Sequence, residues 1–97
     1  MLKMVMLVFN EAVELEILEV LEQCGVKNYT KIPETYGRGT TSGGHEGNDI
    51  WPGRNTIFYV ACPEENAKKM LDAVRGLRKT LGEEGVKAFL LPLEELT

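Results

Sequence analysis

The side chains that could do chemistry are concentrated in one glycine-rich stretch, residues 37–53 (GRGTTSGGHEGNDIWPG). It contains an arginine, Arg38, several hydroxyl groups, and the only histidine and the only tryptophan of the chain. Glycine allows the backbone to approach a ligand closely and to present N–H groups to an anion. The stretch therefore predicts a binding loop in which Arg38 contacts a phosphate. The alternative is a flexible linker, although a simple hairpin needs only about two to five loop residues.

Metal binding is a second chemistry that this stretch could support. His45, Glu46 and Asp49 carry imidazole and carboxylate groups, which are ligands for divalent metal ions. One histidine and two carboxylates on a flexible loop are poorly preorganised, so such a site would have to be shared between subunits. The interpretation that we favour is that all three are solvated loop residues.

Two further candidates lie where the stretch ends. Trp51 could stack on the base of a ligand or on a partner, since aromatic side chains dominate recognition surfaces. It could equally anchor the loop to a neighbouring subunit. Arg54 stands at the start of the next predicted strand, where it could meet a phosphate or form a surface ion pair.

Catalysis has little support in the sequence. No Ser-His-Asp or Cys-His arrangement is apparent around His45, the only histidine of the chain. Cys24 and Cys62 are predicted to meet at one end of the fold. They could form a redox pair or a soft-metal site, but buried free cysteines that act as small hydrophobic residues are the favoured interpretation. We assign no catalytic residue and predict a binding protein rather than an enzyme.

Composition limits the class of protein. The chain has 97 residues, 43% of them hydrophobic, which predicts one folded domain over residues 1–97. A net charge of −4 disfavours nucleic-acid binding, which depends on clustered cations. The apolar run at residues 1–9 is too short to span a membrane, so we expect a buried strand and a protein that is not membrane-inserted. With only two cysteines, we expect a cytoplasmic location.

Hydrophobic periodicity predicts the elements that position these residues. Strands are predicted at residues 1–9, 26–33 (reaching toward Tyr36), 55–62 and 86–91. A first helix is predicted at residues 12–24, with Asn10 as its N-cap and Gly25 as its end. A second helix is predicted from Pro63 to Leu81. This β-α-β-β-α-β order predicts an α+β, ferredoxin-like sandwich. We expect a four-stranded antiparallel sheet with both helices on one face. Right-handed crossovers place the first and third strands in the centre. The first strand, an unbroken apolar run, is expected to be buried on both faces.

Several short motifs resemble those of PII signalling proteins. GVKNYT at residues 25–30 looks like the segment that leads into their second strand. GRG at residues 37–39 is similar to the glycine pair that opens their T-loop, and WPGR at residues 51–54 resembles the stretch that closes it. The spacing of Thr80 and Lys87, with Ala88 and Phe89, is similar to that in their nucleotide-binding B-loop. Glu83 and Glu84 depart from the family pattern, because carboxylates repel phosphate. The resemblance is therefore to a PII-like protein that has diverged from true PII.

The resemblance implies a function that the fold by itself does not. It implies a homotrimer that binds a small ligand, such as ATP or ADP, in clefts between subunits. It also implies that residues 37–53 act as a T-loop that signals to a partner protein, for example a membrane transporter or an enzyme. The ligand-binding residues that we carry over are Thr30, Gly37, Arg38, Gly39, Trp51, Arg54 and Lys87. The alternative is a metal-binding or metal-tolerance module of related fold, with His45, Glu46 and Asp49 as its ligands.

Overall fold

A computed structural model describes residues 1–37, 54–82 and 85–97. Its elements are β1 (Leu2–Asn10), a 3-10 turn (Glu11–Val13), α1 (Glu14–Gln23), β2 (Thr30–Thr35), β3 (Asn55–Pro63), α2 (Glu64–Leu81) and β4 (Val86–Pro92). The strands form one antiparallel sheet in the order β2-β3-β1-β4. The predicted ferredoxin-like sandwich is therefore confirmed, with β1 and β3 in the centre.

One face of the sheet carries the hydrophobic core. Val5, Leu7 and Phe9 alternate along β1, and none of the three is accessible to solvent. They belong to one cluster with the buried residues of both helices, including Ile17 of α1 and Met70 of α2. Both helices therefore cover the same face, as predicted.

The expectation that β1 is buried on both faces is wrong for the single chain. Met4, Met6 and Val8 point away from the helices and are only partly buried. An unbroken apolar run does not distinguish a strand covered on both sides from one whose second side is left without a cover.

The ends of α1 depart from the prediction in ways that capping explains. Asn10 acts as a cap, and its side chain accepts a hydrogen bond of 2.9 Å from the backbone N–H of Ala12. The first turn is nevertheless a 3-10 turn, which is common at helix ends. Gly25, at φ 74°, ends the helix as predicted, and the N–H of Val26 donates to Leu21 O at 2.9 Å. This pattern is a Schellman motif, so Val26 belongs to the helix cap and β2 starts only at Thr30.

The start of α2 is displaced by one residue from the prediction. Pro63 is the last residue of β3 and precedes the helix instead of opening it. It pairs with Leu2 at the end of the β1–β3 ladder, where the missing backbone N–H of proline costs little. No helix in the described part of the chain has the length and apolar character needed to cross a bilayer.

Candidate functional site

The end of β2 and the start of β3 form the base of the segment that spans residues 38–53. Thr35 is paired with Asn55, and the Thr35 hydroxyl donates a 3.0 Å hydrogen bond to the Asn55 carbonyl. The register shifts just before this pair, and Glu34 there adopts a φ of 56°, which is unusual for a residue with a side chain. This hydrogen bond holds the two ends of the segment together.

Arg54, one of the predicted ligand contacts, lies at this base. Its guanidinium is 4.0 Å from the Glu34 carboxylate, and the two side chains are 50% and 69% exposed. A long and solvated ion pair of this kind contributes little free energy. Arg54 can therefore exchange Glu34 for an anionic group of a ligand at small cost.

Two other connections of the fold meet the same end of the sheet. The N–H of Asn10 donates to Gly85 O at 3.2 Å, which joins the end of β1 to the residue before β4. The N–H of Glu11 donates to Arg54 O at 2.9 Å, which joins the 3-10 turn to the loop base. Because the N–H groups of Glu11 and Ala12 are occupied, these two first donors are not available to an anion. Cationic side chains such as Arg54 are therefore better suited than these N–H groups to contact an anion at this end of the sheet.

Thr30 and Lys87, two more predicted contacts, lie far apart within the chain. Thr30 is opposite Tyr59 on edge strand β2, and Lys87 is opposite Val8 on edge strand β4. Both lie on the side of the sheet away from the helices. Three strand spacings separate the edges, or roughly 14 Å. One chain therefore does not bring these two residues into a common pocket.

The side of the sheet away from the helices, which we call the open face, is strongly apolar. It comprises Met4, Met6 and Val8 of β1, Ile57, Tyr59 and Ala61 of β3, Phe89 and Leu91 of β4, and Ile32 of β2. Ile32, Phe89 and Leu91 are each about two-fifths exposed, at 40%, 41% and 40%. No described element covers them. A contiguous apolar surface of this size is typical of an interaction site.

Asn55 is a candidate site residue that the sequence motifs do not indicate. They predict only that it opens the third strand, whereas in the structure it is 7% exposed and its Oδ1 atom has no hydrogen-bond donor among the described residues. One signal was available, because asparagine is depleted in strands and here it opens a run of β-branched and aromatic residues.

The two cysteines have the properties of buried apolar residues. Cys24 and Cys62 are 8% and 3% exposed, and both are free. Burial raises the pKa of each thiol, and the nearby Cys24 thiol raises the pKa of Cys62 further. The reactive thiolate is therefore disfavoured at neutral pH.

The remaining candidates lie outside the described residues. These are Arg38, Gly39 and Trp51, and the three predicted metal ligands His45, Glu46 and Asp49. Gly37 is the last described residue before them, and it is exposed next to Asn55. Within the described ranges no group of three or more metal-ligating side chains occurs.

Comparison with known proteins decides the family. The family model described as nitrogen regulatory protein P-II matches residues 2–97. The chain belongs to the P-II family. No curated protein sequence matches this P-II family member.

Solved structures of PII-like proteins are similar to it in fold. The apo form of CPII from Thiomonas intermedia K12 is 18% identical with a TM-score of 0.69, over 92% of this chain and 85% of CPII. CPII bound to ADP, AMP and bicarbonate is 21% identical with a TM-score of 0.70, over 92% and 82%. A putative PII-like signaling protein from Thermus thermophilus is 26% identical with a TM-score of 0.62, over 92% and 82%.

These matches confirm the PII-like resemblance and the fold. The chain is a PII-like regulatory protein by family. The ligands named for the CPII structures are ADP, AMP, bicarbonate and acetate, so the comparisons lend no support to the metal-binding alternative.

Proposed function

We propose that this P-II family protein is a homotrimeric regulator that binds an adenine nucleotide between its subunits. In this proposal it reports the occupancy of that site to a partner protein through residues 37–53, and it catalyses no reaction. The observation that carries the proposal is the placement of Thr30 and Lys87 at opposite edges of one apolar sheet face.

The open face supports assembly with further copies of the same chain. Its apolar side chains occupy all four strands, and burying them would gain the hydrophobic free energy that folding of one chain leaves unused. The exposed β2 and β4 edges would also be protected, since unpaired strand edges are otherwise prone to non-specific association. A chain of 97 residues has a small core, for which oligomerisation is a common supplement.

The assembly would complete the binding site. Lys87 on the β4 edge of one subunit can approach Thr30 on the β2 edge of the next, although the two lie far apart within one chain. Lys87 and Arg54 would supply the positive charge for phosphate groups, and Thr30 a hydroxyl. The ADP- and AMP-bound CPII structures support an adenine nucleotide as the ligand.

The signalling step would use the connection between the site and the loop base. Arg54 is the residue that follows the 38–53 segment, and its carbonyl is hydrogen-bonded to the start of α1. A ligand that draws Arg54 away from Glu34 would change how the segment leaves the sheet. The partner reading this change would be a transporter or an enzyme. The two free and buried cysteines suit the reducing cytoplasm, where we place the protein.

The oligomeric state and the ligand can be tested in two measurements. Light scattering after gel filtration is expected to give the mass of three 10.8 kDa chains. Calorimetry is expected to show saturable binding of ADP, AMP or ATP that weakens at least tenfold in Lys87→Ala. Lys27→Ala, an exposed lysine between α1 and β2, is the matched control and should bind as the wild type does. A monomer without affinity for these nucleotides would refute the proposal.

A further inference from the structure

Asn55 combines two properties that the fold of the chain does not explain. It is 93% buried, the complement of its 7% exposure, and no donor within the described ranges reaches its Oδ1 atom. Buried polar atoms without a partner are rare and destabilising, because the atom has lost its water without gaining a replacement. Such an atom therefore indicates a partner outside the described residues.

The surroundings place this atom at the predicted binding site. Asn55 lies opposite Asn10 in the ladder and next to Thr35, at the base of the segment that follows Gly37. A methyl group built on Gly37 would lie 3.8 Å from Nδ2 of Asn55, so the backbone of Gly37 lies close to the carboxamide. Arg54, the cation assigned to the ligand phosphate, is the preceding residue.

We propose that Oδ1 of Asn55 accepts a hydrogen bond from the nucleoside part of the bound nucleotide, and thereby selects among ligands. This inference rests on the proposed function. A carboxamide oxygen is an acceptor only, so an ionised phosphate cannot satisfy it. The adenine amino group and the ribose hydroxyls are the donors that a nucleotide offers. A ligand without the donor leaves the buried oxygen unpaired, and this gives a larger penalty than the loss of an exposed contact.

The inference predicts opposite effects of one substitution on stability and on binding. Asn55→Leu replaces the carboxamide with an apolar group of similar size, which removes the unpaired acceptor. The melting temperature of the ligand-free protein is expected to rise by roughly 4–8 °C. The affinity for ADP is expected to fall at least tenfold. A residue kept only for structure would not gain stability on replacement.

Asn28 offers a matched control, because its carboxamide is satisfied. Its Nδ2 donates a 3.0 Å hydrogen bond to Ala61 O, at the opposite end of β3. Asn28→Leu loses this bond, so its melting temperature should not rise and its affinity for ADP should stay at the wild-type value. The same asparagine-to-leucine change is thus made once at a satisfied amide and once at an unsatisfied one.

The donor group is identified with the wild-type protein, which avoids any variant that fails to fold. Calorimetry compares ADP with inosine diphosphate, which lacks the amino group, and with 2′-deoxy-ADP and 3′-deoxy-ADP, each of which lacks one ribose hydroxyl. We expect one analogue to bind at least tenfold more weakly than ADP, and Asn55→Leu to lose this discrimination.

The outcomes separate this inference from the proposed function. If the wild type binds ADP and all three analogues equally, or if Asn55→Leu binds ADP as the wild type does, the role of Asn55 is refuted and the proposed function stands. A fall in the melting temperature of ligand-free Asn55→Leu also refutes it, since Oδ1 then has a partner within the protein. If the wild type binds no nucleotide, both fail together.

Discussion

Replacement of Phe89 by glutamate should separate the proposed trimer into monomers. Phe89 lies on the open face, opposite Met6 of β1, and is 41% exposed in the single chain. A phenylalanine side chain offers about 200 Å² of surface, so about 80 Å² remains to be buried on assembly. At about 25 cal/mol per Å² this is worth about 2 kcal/mol per subunit, or about 6 kcal/mol per trimer.

This loss is large enough to be measured directly. About 6 kcal/mol corresponds to a factor of about 10⁴ in the trimer dissociation constant. The midpoint concentration scales with the square root of that constant, so it should rise about 100-fold. The carboxylate adds a further penalty, because a charge within an apolar interface is costly. The monomer itself should remain folded, since the side chain is already partly solvated in it.

The assay is sedimentation or light scattering across a dilution series, with circular dichroism to check folding. Leu15→Glu is the matched control, because Leu15 is 76% exposed on α1, away from the open face. We expect Leu15→Glu to keep the wild-type mass and Phe89→Glu to lose it. If Phe89→Glu assembles at wild-type concentrations, or if Leu15→Glu dissociates equally, the open face is not the assembly surface.

Two further predictions concern the fold itself. Gly25→Ala should lower the unfolding free energy by about 1–2 kcal/mol, because an L-residue is strained at its φ of 74°. Gly76→Ala should raise the unfolding free energy by about 0.5–1 kcal/mol, because Gly76 lies within α2 and an added methyl group would meet no atom within 4 Å. Chemical denaturation measures the unfolding free energy of both variants, and a change of the same sign in the two would contradict this account. The thiols of Cys24 and Cys62 should react with a thiol reagent only after unfolding. Because burial raises the pKa of both thiols in the folded protein, the unfolded chain loses the thiol protons at a lower pH. The free energy of unfolding should therefore fall as the pH rises above about 9. Replacement of both cysteines by alanine should flatten this alkaline loss of melting temperature, and an unchanged slope would show that the thiols are not its cause.

Capping residues and hydrophobic periodicity predicted most of the fold, because each of these signals depends on a few residues that are close together in the chain. Asn10 and Gly25 bracket α1 with capping hydrogen bonds that involve only nearby backbone. The alternating order of strands and helices then left few topologies, and right-handed crossovers selected the observed strand order. The errors lie at element boundaries, as with Pro63, which pairs with Leu2, and in the expectation that β1 is buried on both faces.

The candidate site was less accessible to sequence reasoning. Residue types and motif spacing made Arg54, Thr30 and Lys87 candidates and placed Arg54 where the loop ends, but they did not show that Thr30 and Lys87 lie on the same face of the sheet. Asn55 was missed because an unpaired buried oxygen is a property of its surroundings. No local pattern encodes the absence of a donor.

From the amino-acid sequence one could predict the PII-like family, the order of the elements and the packing of both helices on one face of the sheet. These follow from hydrophobic period, capping residues and short motifs, all of which act over a few residues along the chain. The folded structure was needed to show that the second side of β1 lacks a cover among the described residues, that Thr30 and Lys87 lie on that same side, and that Asn55 is buried with no donor from the described ranges. Each of these depends on strand pairing between distant residues, because register determines which side chains share a face and what remains to cover them.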